Sequence, residues 1–187
     1  MAEEIPASTQ EVLGETPEGL VPQGPGWFML NAGDAPWQTC EGYGRSVGFE
    51  PPDPEFPDFG FNIHRLGPGE PSGLYHAESV QEGYLVLDGA CTLIVDGEER
   101  TLRRWDYVHL PAGTRHILVG SDAPCLVVMV GARRPGASLL YPVDERAVAA
   151  GAGTREETTS PAVAYADFPP TVLARCEEGW LPAESSR

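Results

Sequence analysis

The chain has 187 residues, with 28 Asp or Glu against 12 Arg, no Lys, and a net charge of −16. That length supplies one well-buried core, and the acidic balance repels nucleic acid, since the arginine pairs Arg103-Arg104 and Arg133-Arg134 are too short to form a basic stripe. Without lysine there is neither a Schiff base nor a phosphate-cradling Gly-Lys-Ser/Thr loop, and no G-x-G-x-x-G turn for a dinucleotide occurs.

Residues 1–25 are rich in Glu, Pro and Gly and read as a flexible tail, ordered only where it docks. Met-Ala-Glu-Glu offers no basic segment or apolar stretch of a signal peptide. The longest apolar run, Cys125–Val130, is too short to cross a bilayer, so a cytoplasmic protein without membrane contact is expected. Trp27–Leu30 is a candidate strand, and residues 49–59 form a proline-stiffened loop that cannot enter a sheet interior.

From Gly60 to Gly131 the texture changes. Short apolar, β-branched or aromatic runs recur every 8 to 12 residues: Phe61–Leu66, Leu74–Glu78, Tyr84–Leu87, Cys91–Val95, Arg100–Leu102, Tyr107–Leu110, His116–Val119 and Cys125–Val130. Asp88-Gly89 and Asp96-Gly97 each lie between two runs and signal hairpins. Such spacing predicts an all-β sandwich or barrel over 26–143. Beyond it, 144–187 is an extension packing on the outside, with a short helix from Asp144 to Ala150 capped by Asp144 and a strap carrying Val163–Phe168 and Trp180. The four cysteines, Cys40, Cys91, Cys125 and Cys176, are widely separated and are expected to be reduced thiols.

Two clusters carry chemistry. The first is Gly69-x6-His76-x-Glu78-x3-Glu82-x6-Gly89; the second is Trp105-x5-Pro111-x-Gly113-x2-His116. Residues i and i+2 of a strand share a face, so His76 and Glu78 point to one side, and Glu82 keeps that parity. Pro111 and Gly113 turn the chain into a strand starting near His116. Imidazole and carboxylate together suit a divalent transition metal such as Fe, Mn, Ni, Zn or Co. Tyr84 and Leu118 follow Glu82 and His116 by two and line the interior, with Leu74, Val86 and Leu93 as apolar lining. Trp105 is placed at the barrel mouth or in an external core, Arg115 points outward, and His64 and His109 read as surface or structural residues.

These clusters resemble the paired motifs of the cupin superfamily, G-x5-H-x-H-x3,4-E-x6-G and G-x5-P-x-G-x2-H-x3-N, over Gly69 to Gly120. The resemblance implies a cupin-type antiparallel β-barrel (jelly roll) with irregular N- and C-terminal extensions. It also implies metal ligation by His76, Glu78, Glu82 and His116. Here Glu78 stands where the family has a second histidine, one extra residue precedes His76, and Trp105 and Gly120 replace a Gly and an Asn. Glu78 is thus a fourth ligand, an acid or base facing the cavity, or a residue turned away.

The implied function is an enzyme acting on a small organic molecule at that metal, dioxygenase-like or isomerase/lyase-like, with Glu78 and Tyr84 as catalytic candidates. One alternative is a non-catalytic binding or sensing module; another is a metal-free epimerase-like catalyst using His76 and Tyr84 as acid and base. A homodimer is expected, because small barrels protect exposed strand edges by pairing copies.

Overall fold

The computed structural model describes residues 7–53 and 55–183. In chain order its elements are β1 (Leu13–Thr16), β2 (Gly19–Pro22), β3 (Trp37–Thr39), β4 (Arg45–Gly48), β5 (Phe59–Leu66), β6 (Ala77–Glu78), β7 (Glu82–Asp88), β8 (Ala90–Val95), β9 (Glu98–Arg103), β10 (Tyr107–Leu110), β11 (His116–Gly120), β12 (Cys125–Ala132), β13 (Leu139–Leu140), α1 (Glu145–Ala149), α2 (Pro161–Ala164) and β14 (Val172–Ala174). The strand pairings are antiparallel. One sheet runs β10-β7-β12-β5-β4-β3-β14, the other β11-β8-β9, with β1-β2 and β6-β13 as separate pairs.

The two main sheets close on a shared core because apolar residues alternate along each strand. Leu66, Tyr84, Val86 and Val127 come from the larger sheet; Cys91, Leu93, Leu102 and Leu118 come from the smaller. Each fully buried aliphatic side chain of this kind contributes about 1.5–3 kcal/mol. The stretch before β6 extends the smaller sheet, through bridges Pro71↔Val119 and His76↔His116. This all-β barrel is the architecture expected. A second cluster outside it packs Trp37, Val47, Leu126 and Trp180 together, with the Trp37 and Trp180 rings edge to face at 5.5 Å. Asp144 caps α1 as read, its Oδ1 accepting from the N–H of Arg146 and Ala147.

Several local expectations differ. Residues 13–22, read as part of a tail, pair Leu13↔Pro22 through Thr16↔Gly19 as a hairpin; residues 1–6 lie outside the described residues. Thr16 closes that turn, its hydroxyl accepting from the N–H of Glu18 and of Gly19. Trp27–Leu30 is not a strand: Trp27 alone bridges to Gln10. Asp96-Gly97 does make a hairpin, with φ of 45° and 77°, the left-handed pair a two-residue turn requires. Asp88-Gly89 instead carries the chain from one sheet to the other, and a Cβ on Gly89 would meet the Pro124 carbonyl at 2.2 Å. Close backbone approach, not a hairpin, explains that glycine. Trp105, at φ 75°, is exposed with the Arg104 guanidinium over its ring, so no external core holds it. Arg115 is exposed, as expected.

Candidate metal centre

His76 and His116 sit opposite one another in their bridge, His76 N donating to the His116 carbonyl at 3.1 Å and His116 N to the His76 carbonyl at 2.8 Å. Neighbours in such a pair project side chains to one face, and the two rings lie 4.8 Å apart between centroids. Glu82 opens β7 opposite Gly131 and Leu110, at the rim of the larger sheet. Its Oε2 stands 3.2 Å from His116 Nε2. One ligand atom from each of His76, Glu82 and His116 falls within 4.8 Å of the others. Thus 40 residues apart in the chain, two imidazoles and a carboxylate converge as the motif spacing predicted.

The ring orientation is set by the backbone. His76 Nδ1 lies 2.7 Å from the Leu74 carbonyl and His116 Nδ1 2.9 Å from the Thr114 carbonyl. A carbonyl only accepts, so each Nδ1 carries a hydrogen and each Nε2 faces the site, where it shares a proton with a neighbour such as Glu82 or, once that proton has left, offers a lone pair. Anchoring the far nitrogen in this way is how histidine ligands are aimed.

Tyr84, buried, points into the same space: its hydroxyl donates to Glu82 Oε1 at 2.9 Å and lies 2.7 Å from His116 Nε2. Burial, then the charge of Glu82, pushes the phenol well above its ordinary range, so it is a neutral donor here. Burial also pushes the Glu82 carboxyl up, but the hydrogen bond and charge of His116, with His76 and Tyr84, outweigh it and hold the group below its usual value. His76 is lowered, chiefly by burial and then by His116.

Glu78 is placed differently from the other three. Its Oε1 is 3.9 Å from His76 Nε2, yet it falls outside the group that closes on one point. Burial and then Glu82 raise its carboxyl. It lines a separate hollow together with Arg133 and Arg134. Of the expected apolar lining, Val86, Leu93 and Leu118 are core. His109 is exposed, whereas His64 lines a cavity, contrary to its reading as a surface or structural residue. Sequence reasoning missed Tyr141, whose ring lies 6.1 Å from that of His76. No motif marks it, since it sits past the point where the strand pattern fades.

Residues 62–131 match the family model described as the cupin domain. The chain carries a cupin domain. Over 50 residues it is 44% identical to the quercetin 2,3-dioxygenase of Bacillus subtilis (strain 168), a stretch covering 27% of this chain and 15% of that protein. The polyketide cyclase RemF of Streptomyces resistomycificus superposes with a TM-score of 0.51 at 15% identity, over 59% of this chain and 83% of that one. KdgF of Halomonas sp. gives 0.50 at 23% identity, over 59% of this chain and 96% of that one. At these identities the two structures show the cupin fold alone. Among the described residues no helix is long and apolar enough to cross a membrane.

The donor set fits the metal such domains hold. Two Nε2 lone pairs and a carboxylate kept ionised by its surroundings form a ready 2-His-1-carboxylate face.

Proposed function

We propose that this cupin is a metal-dependent enzyme acting on a small organic molecule, dioxygenase-like in class. His76, Glu82 and His116 hold the metal, with Fe, Mn, Ni, Zn and Co all suited to the donors. The observation that carries the reading is the pair of backbone-anchored Nδ1 atoms, which turn both Nε2 atoms toward the point that the Glu82 carboxylate also reaches. A divalent transition metal held there supplies Lewis acidity and open coordination positions. The chain's own groups do the rest. The Tyr84 hydroxyl, kept neutral, holds Glu82 in place by donating its one hydrogen to Oε1. The 50-residue likeness to a dioxygenase supports the oxidative class.

Glu78 supports a second reading, isomerase- or lyase-like. Its Oε1 lies 3.9 Å from His76 Nε2, beside the ligand group but not in it, and burial raises its carboxyl, as suits a group exchanging protons with a molecule bound at the centre. Elemental analysis of the purified chain, followed by oxygen-electrode and mass measurements on a panel of phenolic and enol substrates, separates the two. Oxygen uptake abolished by His116→Ala supports the first. Substrate conversion under nitrogen that is lost in Glu78→Gln supports the second. A fully metal-loaded chain that converts nothing refutes both and leaves a binding module. The expected homodimer is part of the proposal: Phe59, Leu85, Tyr107 and Val130 form the apolar part of a hollow at the larger sheet that Asp58 and Glu82 also line. Light scattering at the monomer mass rules it out.

A further inference from the structure

A cavity of about 450 Å³ lies between the inner wall of β4 and β5 and the segment 165–171. His64 and Ser46 form its wall. His64 shares a face of β5 with the core residue Leu66 and pairs across with Val127 on β12 and Ser46 on β4, so its ring is directed to the barrel interior. Tyr43, Tyr165 and Phe168 form the opposite side as a continuous aromatic surface, with centroids 4.4 Å apart for Tyr43 and Phe168 and 4.9 Å for Tyr165 and Phe168. Apart from His64, Ser72 and Gly73, the lining lies outside residues 62–131, so this cavity belongs to the extensions of this chain more than to its cupin domain. None of His76, Glu82 and His116 lines it.

Its chemistry is unusual for so acidic a protein. No Asp, Glu or Arg lines it, whereas the four other principal hollows each carry two or more charged residues. Burial alone pushes His64 down to about 4, with no hydrogen bond contributing, so near neutral pH the ring is uncharged and offers one donor and one acceptor. The Tyr165 oxygen accepts from the Leu74 N–H at 3.2 Å, which leaves its own hydrogen free to donate. Ser46 and Ser72 add hydroxyls. An ion would lose its hydration here with no opposite charge to replace it, while a flat ring meets aromatic faces and its polar substituents meet neutral partners.

We propose that this cavity is a binding site for an uncharged aromatic molecule bearing hydroxyl or carbonyl groups. The site stands apart from the metal centre, and its test does not need the metal.

The test titrates metal-free full-length protein with 4-hydroxyacetophenone, following the ring signals of the four histidines by NMR, with His64 assigned through His64→Phe. The His64 signal moves and that of exposed His109 does not. 4-Hydroxybenzoate, of similar shape but charged, binds at least about tenfold more weakly, and Tyr165→Ala weakens the neutral probe by about tenfold. Tyr165 is 38% exposed and packs on Phe168 and Tyr141, so Tyr165→Phe, which keeps the ring and loses only the hydroxyl, is measured beside it, and circular dichroism checks that both variants keep the parent fold. Metal-loaded protein binds the probe as well, so failure of the metal proposal and failure of this one are read separately. A His64 signal that stays fixed up to about 10 mM probe overturns the proposal. So does equal binding of the carboxylate, or a Tyr165→Ala protein that binds as the parent does.

Discussion

Replacing His116 by alanine removes one of the three converging side chains that would hold the metal. His116 is 1% exposed, and its Nε2 is within 3.2 Å of Glu82 and 2.7 Å of the Tyr84 hydroxyl. Without metal, the substitution leaves a buried carboxylate short of its partner, at a cost of about 3 kcal/mol. The informative quantity is therefore the change caused by metal within each protein, which cancels that cost. A ligand at a hundred times its Kd stabilises the folded state by about 2.7 kcal/mol. For a chain of this size each kcal/mol raises Tm by about 2–4 °C, so the parent gains about 5–10 °C. Calorimetry with excess Mn²⁺ and with a chelator should show this gain in the parent and in His109→Ala, and less than about 1 °C in His116→Ala. A His116→Ala protein keeping most of the gain, or a parent gaining nothing with any of the five metals, refutes the three-ligand centre.

Trp180→Ala removes a buried ring that packs on Trp37 and lies under the Arg45 guanidinium; denaturant unfolding should show a loss of about 3 kcal/mol, whereas a loss near zero would mean the end of the chain does not hold the outer cluster. His64 has a folded value of about 4 against 6.5 when exposed, so the unfolded chain binds the extra proton between those pH values and stability falls as pH drops through that window. Lowering pH from 7 to 5 should therefore cost the metal-free parent up to about 2 kcal/mol more than His64→Gln, the ring's contact with cavity water reducing the figure; equal losses in urea titrations contradict it. Thiol labelling of the native protein should reach Cys40 and Cys176 well before Cys91 and Cys125, which are buried in the barrel core, and uniform labelling would show that the core opens.

The barrel was legible because its strands carry a two-residue period bounded by turn residues, and the site because strand parity and two short motifs act locally. His116 begins β11 just after the Pro111–Gly113 turn, as its motif implied. What could not be read depends on partners far away in the chain. β3 and β14 are three residues each and exist because Trp37 pairs with Ala174, a contact no local pattern announces. Asp88-Gly89 has hairpin chemistry, yet β7 finds β12 and β10 while β8 finds β9 and β11, so tertiary pairing overrides the turn signal. That Glu78 falls outside the converging His76, Glu82 and His116 likewise depends on the bend at Ser79–Gln81 between it and Glu82, which strand parity does not describe.

Leu74 has one further consequence. Its amide hydrogen belongs to Tyr165 in the aromatic cavity, and its carbonyl holds the imidazole of His76. One residue thus acts as a lever between two compartments that share no lining. Were a guest in the outer chamber to alter affinity at the inner one through this residue, the inner one would alter the outer in equal measure.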